Sequence, residues 1–197
     1  MSWAQFLKLH WEVLAATDFF TVEVATWHGL VTYYVLVVME LATRRVQIAG
    51  ITPHPTAAFM QQCARQLTDP CEGFLVGKRY LIHDRDTKFT QAFDGLLKTS
   101  GVEPIVLPPR SPNLNAHCER FVRSIKEEAL HRMVLLGEPA LSYVIHQYLA
   151  HYHAERNHQG IANQRIAPEP GLGSRSGQVR CRERLGGLLS YYYRDAA

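Results

Sequence analysis

The sequence has few cysteines and no closely paired ones. Four occur among 197 residues, and no two are spaced as a CxxC metal-binding or redox pair. None of the ten histidines stands with cysteines at zinc-finger spacing either. The pattern argues against both a disulfide framework and a zinc finger, and we expect a protein of a reducing compartment.

A long apolar run is also missing. The longest, Tyr34 to Met39 with Tyr33 before it, has seven residues (39 − 33 + 1), whereas a membrane-spanning helix needs about 20. The first residues, MSWAQFLKLHWEV, contain no basic segment followed by an apolar one, as a signal peptide would. The sequence thus predicts a cytoplasmic protein without a membrane anchor.

Net charge is low, but the charges are unevenly distributed. Residues 1–109 contain 9 Lys/Arg against 10 Asp/Glu, and residues 110–197 contain 12 against 8, giving the formal net charge of +3. Of those twelve basic residues, 11 are arginine, which favours bidentate contact with phosphate. The second half therefore inclines towards nucleic acid, although scattered surface arginines are also ordinary.

The first part of the chain predicts three strands and a helix. The strand-like segments are rich in β-branched and aromatic residues and are joined by short turns, which favours an antiparallel meander. They run from Leu14 to Val24, from Thr32 to Met39 and from Arg45 to Ile51. A helix with apolar residues at helical spacing should follow Thr56, a suitable N-cap.

A strand–helix–strand pattern comes next. The strand Arg79 to His83 precedes a helix that begins near Phe89 and ends at Ser100-Gly101, and a strand from Glu103 to Leu107 follows. This order implies a parallel crossover. We therefore predict an α/β protein whose five-stranded mixed sheet joins a three-stranded antiparallel meander to two parallel strands, with flanking helices.

The remainder is predicted to be mostly helical. Three prolines between Leu107 and Asn113 exclude helix or central strand there. A long helix should run from about Asn115 to Leu135, and a second should follow Pro139. Residues 171–177 are predicted to be a flexible linker before a tail with a short helix or strand. We assign residues 1–165 to one core and residues 166–197 to linker and tail.

Three carboxylates occupy unusual positions. Asp18 interrupts an apolar strand between Phe19 and the preceding threonine, Asp84 follows the fourth strand, and Glu119 lies in the first turn of the long helix. A strand-end Asp is usually a solvated turn residue, and a first-turn Glu usually complements the helix dipole. A carboxylate within a strand, however, is costly to bury without a partner. Oxygen ligands of this kind suit Mg²⁺ or Mn²⁺.

The order of these carboxylates resembles a known family. The segments WEVLAATDFFTVE, LIHDRDTKF and RSPNLNAHCERFVRSIKEE resemble the motifs of DDE transposases and retroviral-type integrases, in particular the integrase core of bacterial insertion-sequence transposases. Between Asp84 and Glu119 lie 34 residues (119 − 84 − 1), one fewer than is commonest in that group. The resemblance extends from about Trp11 to Ile161 and implies an RNase H-like fold.

The resemblance also implies an activity and a site. Asp18, Asp84 and Glu119 would be the catalytic residues and the ligands of two Mg²⁺ or Mn²⁺ ions, in a polynucleotidyl transferase that cleaves DNA ends and joins them to a target. Asp86 is the rival to Asp84, but we expect it to begin the turn and cap the next helix. Basic and amide side chains near these motifs are candidate DNA contacts, each with a purely structural alternative: Arg110, Asn113, Asn115, Arg123, Lys126 and Arg156.

Two other functions stay open at this point. One is a catalytically silent DNA-binding or assembly module from a mobile element, and the other is an RNase H-like nuclease without joining activity. Since the predicted core begins by about residue 11, we expect recognition of DNA ends to need another domain or protein. We also expect a homo-oligomer on DNA, because integration reactions hold two DNA ends together.

Overall fold

The computed structural model of the chain describes residues 2–108, 115–170 and 177–194. These residues form two compact units. One comprises Met1–Glu23 with Val31–Val122, and the other comprises Val24–Leu30 with Arg123–Ala197. The boundary that we placed after residue 165 stays a prediction. The predicted linker falls mainly on residues 171–176, which lie outside the described residues.

A short helix precedes the sheet, which the sequence patterns did not indicate. Helix α1 (Trp3–His10) begins with a capping box, in which the Ser2 hydroxyl accepts from Gln5 N and the Gln5 side chain accepts from Ser2 N. These two bonds satisfy backbone donors that a helix start leaves unpaired. The ring of Phe6 contacts Tyr80 edge-on at 5.4 Å.

The predicted antiparallel meander is present. It consists of β1 (Leu14–Thr26), β2 (Gly29–Glu40) and β3 (Val46–Thr52). The connection between β1 and β2 is only two residues long, so these strands run antiparallel. β2 pairs antiparallel with β3 and is fully buried from Val35 to Met39. Burial on both faces explains why this strand reads as a continuous apolar run.

The predicted crossovers complete the sheet. Helix α2 (Ala57–Leu67) is capped by Thr56, as expected, and β4 (Tyr80–His83), α3 (Gln91–Thr99) and β5 (Glu103–Val106) follow. Strand β4 runs parallel to both β1 and β5, giving the order β3-β2-β1-β4-β5. The mixed five-stranded α/β sheet is therefore confirmed, with β1 at its centre.

One predicted helix cap was wrong. Helix α3 begins at Gln91 rather than near Phe89, and the side chain of Thr90, not Asp86, accepts from the backbone N–H of Phe93. Asp86 instead begins a separate turn, in which its backbone oxygen accepts from Phe89 N at 3.0 Å. Asp86 therefore begins a turn, as expected, but it does not cap α3.

The long helix is shorter than predicted. Helix α4 (Ala116–Glu128) ends seven residues before Leu135, and a 3-10 turn, Leu130–Arg132, follows. Neither Gly nor Pro marks this end; instead the chain leaves the helix at Ala129 and buries Leu130. Arg132 Nε donates to the helix-end carbonyl of Glu127 at 2.7 Å. Within the described ranges, no helix combines the length and apolar character that crossing a bilayer requires.

The second unit contains a helix and a hairpin. Helix α5 (Gly137–Ala154) buries five side chains, and β6 (Val179–Arg184) pairs antiparallel with β7 (Leu189–Arg194). Glu155, just after α5, joins the two elements: its carboxylate accepts from Arg184 Nη2 at 2.7 Å and contacts His151 Nδ1 at 2.8 Å. The tail that the sequence left as a short helix or strand is thus a hairpin.

Candidate active site

The sheet brings Asp18 and Asp84 together. Strands β1 and β4 are parallel neighbours, with Ala16 beside Ile82. Two residues after this pair, the same register places Asp18, within β1, beside Asp84, the first residue after β4. Both carboxylates therefore lie just beyond the last pair of the parallel β1–β4 ladder. The sheet thus explains how residues 66 positions apart (84 − 18) meet.

The pKa of Asp18 is raised by its surroundings. Burial is the largest cause that raises its pKa, from 3.8 to about 7, and the negative charge of Asp84 is the next. A hydrogen bond from Phe19 N at 2.8 Å opposes the rise, while Glu119 and Asp86 add to it. At neutral pH the site therefore favours either a proton on Asp18 or a nearby cation.

Asp86 differs from Asp84 because it has a cation of its own. Its Oδ2 lies 2.5 Å from Lys88 Nζ, and its Oδ1 accepts from Lys88 N at 2.9 Å. Lys88 Nζ also lies over the rings of Phe19 and Tyr34, at 5.4 and 5.1 Å. Asp84 is exposed, and its Oδ1 accepts from Asp86 N at 3.0 Å. Among the described residues Asp84 has no basic partner.

Glu119 lies in the first turn of α4, whose start is held against β1. Asn115 Nδ2 donates to Thr17 O at 3.2 Å, which ties the residue before the helix to the residue before Asp18. The Asn115 side chain is buried, and its Oδ1 has no hydrogen-bond partner in the described parts of the chain. The sequence indicated a DNA contact at Asn115, whereas the structure gives its amide an internal bond.

Cys118 is a neighbour of the carboxylates that the sequence indicated only as a core residue. Its thiol is fully buried, and burial raises its pKa well above the ordinary value, with Asp18 and Glu119 contributing in the same direction. The thiol therefore stays neutral and adds no negative charge to its surroundings. Its position immediately before Glu119 in the sequence gave no sign of this environment.

The three carboxylates do not form a finished metal cage. In the ranges that the structure describes, no group of three or more His, Cys, Asp or Glu side chains has the arrangement of a metal site. The donor chemistry nevertheless fits a hard divalent cation, since the group offers only carboxylate oxygens. The charges near Asp18 fit it as well, because a cation would relieve the repulsion that raises its pKa.

The predicted DNA contacts fall into three classes. Arg110 and Asn113 lie outside the described residues. Arg123 is exposed on α4, and Lys126 on the same helix is half-buried. Arg156 is engaged internally: its Nη1 donates to both carboxylate oxygens of Glu128, at 2.7 and 2.6 Å, and to Tyr148 Oη at 3.0 Å. The sequence gave no sign of this partner.

His83 and Asp94 were also missed. His83 is the last residue of β4, and its buried ring lies between Asp84 and Asp94. The only signal in the sequence was a polar residue at the end of an otherwise apolar strand. Nothing local pointed to Asp94, because it lies in the next helix.

Comparison with known proteins agrees with this architecture. Residues 100–165 match the family model of the integrase core domain, a span that contains Glu119 but neither Asp18 nor Asp84. A search of curated proteins found no match to the sequence.

Solved integrase structures have the same fold. The catalytic core of BIV integrase is 20% identical with a TM-score of 0.53, over 79% of this chain and 91% of that one. The HTLV-2 integrase catalytic core with magnesium, in its dimeric form, is 13% identical with a TM-score of 0.57, over 76% and 91%. The simian T-cell lymphotropic virus intasome is 14% identical with a TM-score of 0.55, over 93% and 66%. The chain therefore shares the fold of these integrase cores, an RNase H-like mixed sheet with flanking helices.

Proposed function

We propose that this chain is the catalytic core of a DNA transposase or integrase, which cleaves DNA ends and transfers them to a target with Mg²⁺ or Mn²⁺. The observation that carries the proposal is the environment of Asp18. Its carboxylate is largely withdrawn from solvent in β1; this burial and, after it, the charges of three further acidic side chains raise its pKa to about 7. A buried acidic group of this kind is costly to the fold and is typical of a site that receives a cation.

Asp18, Asp84 and Glu119 are the proposed ligands and catalytic residues. Two divalent ions held by these carboxylates would supply Lewis-acid chemistry, for activation of a water or a 3′-hydroxyl and stabilisation of the leaving 3′-oxygen. The chain supplies the oxygen donors, on a central strand, at the end of its parallel neighbour and on a helix. The magnesium described in the HTLV-2 core supports the choice of ion.

Asp86 has a supporting role in this proposal. Its charge is offset by Lys88 at 2.5 Å, and its backbone N–H donates to Asp84 Oδ1. Asp86 thus orients Asp84 and leaves the second carboxylate oxygen of Asp84 for a cation. Of the two aspartates in IHDRDTKF, Asp84 is the proposed ligand.

Substrate contacts are proposed for basic side chains of α4 and for the proline-rich segment before it. Arg123 and Lys126 follow Glu119 on α4 by about one and two turns, and Arg123 is exposed. We propose that they bind DNA phosphates, with Arg110 and Asn113 contributing from the proline-rich segment. We assign Asn115 and Arg156 to positioning, because both are occupied by internal hydrogen bonds. A homo-oligomer on DNA is also proposed; the dimeric HTLV-2 core and the simian viral intasome support it.

The test uses a substrate that requires no knowledge of the natural DNA ends. Supercoiled plasmid and a labelled blunt duplex are incubated with the protein and Mn²⁺ or Mg²⁺, and nicking and joining are scored separately. We expect Asp84→Asn to abolish both reactions and Asp86→Asn to retain them. Loss of activity in Asp86→Asn alone would move the ligand two residues along the chain.

Two other outcomes would change the function itself. Nicking without joining on any end would favour the nuclease. DNA binding without nicking, and without uptake of Mn²⁺, would favour the silent module.

A further inference from the structure

His83 lies directly before the proposed ligand Asp84, in an aromatic environment. It ends β4, and only 2% of its surface is exposed. Its ring centroid lies 4.5 Å from that of Phe89 and 6.3 Å from that of Phe93. A phenylalanine would satisfy this packing, so the imidazole nitrogens need a separate explanation, since buried polar atoms are costly without partners.

One ring nitrogen holds the backbone of Asp84. His83 Nδ1 lies 2.7 Å from the carbonyl oxygen of Asp84. Because a carbonyl oxygen only accepts, Nδ1 carries the proton and donates it. The pairing between β4 and β5 ends at His83 and Val106, so this carbonyl lies just beyond the last pair of that ladder. The imidazole thus supplies a donor where the sheet stops.

The other edge of the ring faces α3. His83 Nε2 lies 3.2 Å from Asp94 Oδ1, in the first turn of that helix. The two atoms lie within ion-pair distance, but neither makes an aligned hydrogen bond within the described residues. Of the two contacts, only the one to Asp84 is a hydrogen bond, so that bond is the polar constraint on the ring.

The backbone of His83 is fixed as well. Its carbonyl oxygen accepts from Leu107 N at 2.9 Å, just after β5. The backbone hydrogen bond to Leu107 thus holds the strand end from which the ring projects. Movement of the Asp84 peptide would break the 2.7 Å bond to the ring.

We propose that His83 is a positioning residue for Asp84: its Nδ1–H fixes the Asp84 carbonyl and thereby aims the Asp84 carboxylate at the divalent cation. This inference rests on the proposed function, which makes Asp84 a ligand. Outer groups that orient a metal ligand typically change metal affinity by about 10-fold to 100-fold when removed. His83 would act through Asp84 without touching either the cation or the DNA.

Two substitutions separate positioning from packing. His83→Phe keeps an aromatic ring between Phe89 and Phe93 but removes the donor. His83→Asn places its Nδ2–H close to the position of Nδ1 but removes most of the ring. Phe89→Leu is the matched control, because it disturbs the same aromatic cluster and leaves the His83 donor in place.

The measurements are Mn²⁺ affinity by calorimetry and the melting temperature of the metal-free full chain. We expect His83→Phe to melt near the wild type and to bind Mn²⁺ about tenfold more weakly. His83→Asn should melt lower, yet bind Mn²⁺ within about twofold of the wild type. Phe89→Leu should behave like His83→Asn. Affinity and stability would then change in opposite order, which a packing role cannot produce.

The outcomes separate this inference from the proposed function. If Asp84→Asn loses Mn²⁺ binding and His83→Phe keeps it, the positioning role of His83 is wrong and the metal site stands. If His83→Asn binds as weakly as His83→Phe, the donor is not what matters, and the inference is overturned. If the wild type takes up no Mn²⁺, both the proposed function and this inference fail.

Discussion

Asp18 is partly buried and Glu155 is buried, and the surroundings of the two carboxylates are opposite. Burial would raise the pKa of Glu155, but hydrogen bonds from Arg184 and His151 outweigh it and hold the pKa below the ordinary value. Asp18 meets the same cost of burial with acidic neighbours, and its pKa rises to about 7. Glu155 pairs with cations of the chain, whereas Asp18 has no basic partner in the parts of the chain that the structure describes. The difference separates a carboxylate whose charge is balanced by neighbouring cations from one that the proposed function assigns to a divalent cation.

The largest expected effect is the loss of Glu155. Glu155→Ala would leave Arg184 without the carboxylate that Nε and Nη2 contact at 2.7 to 3.1 Å. Removing one member of a buried ion pair costs about 3 to 5 kcal/mol. We expect a loss of at least about 3 kcal/mol in the free energy of unfolding in urea at pH 7, since Arg184 is largely buried.

Glu169→Ala is the control for this prediction. Glu169 pairs with Arg182 on the surface, at 2.7 Å, and should unfold like the wild type. If both substitutions lowered the free energy of unfolding equally, the ion pairs of Glu155 would contribute no more than a surface pair.

Divalent cations should have the next largest effect, through Asp18. At pH 8 a cation at 100 times its dissociation constant would stabilise the folded chain by about 2.7 kcal/mol. The physical reason is relief of the repulsion among Asp18, Asp84 and Glu119. Urea unfolding with and without Mn²⁺ measures this stabilisation, and removal of the ion with a chelator should reverse it. An equal gain in Asp84→Asn would place the ion elsewhere.

Asp18→Asn should stabilise the metal-free protein in a pH-dependent way. A folded-state pKa above the unfolded value means that the folded chain binds the extra proton, so the Asp18 contribution falls as pH rises from 3.8 to about 7. The amide removes this penalty. We expect a gain of roughly 2 kcal/mol at pH 8 and almost none at pH 4, after discounting for the partial exposure of Asp18. A gain that is the same at both pH values would contradict the electrostatic account.

Local patterns predicted much of the fold. The β1 to β3 meander, the Thr56 cap and the parallel crossover all follow from residues close together in sequence. The carboxylate trio came from resemblance, and the structure adds the register that brings Asp18 to Asp84. The end of α4 at Glu128 could not be predicted, because burial of Leu130 rather than Gly or Pro sets it.

Long-range partners had no local signal. Arg184 meets Glu155 across 29 residues, and Arg156 meets Glu128 across 28. Each pairing depends on how a helix packs against a later segment, so charge alone did not show which arginines were free. The difference between Glu155 and Asp18 was therefore invisible in the sequence, where both are single acidic residues next to aromatic or apolar stretches.

Substitution of Asp86 should have the smallest effect on the free energy of unfolding, because Asp86 pairs with a cation as Glu155 does but is more exposed. Its carboxylate has a cation, Lys88, but both side chains keep about a quarter of their surface exposed. Asp86→Asn should cost about 0.5 kcal/mol in the free energy of unfolding, since exposed pairs contribute little. Its amide oxygen can still accept from Lys88 N, so the turn should persist. If Asp84 is the ligand, the Mn²⁺ affinity of Asp86→Asn should fall no more than about twofold. A loss as complete as in Asp84→Asn would mean that the cation binds Asp86 and displaces Lys88 from it.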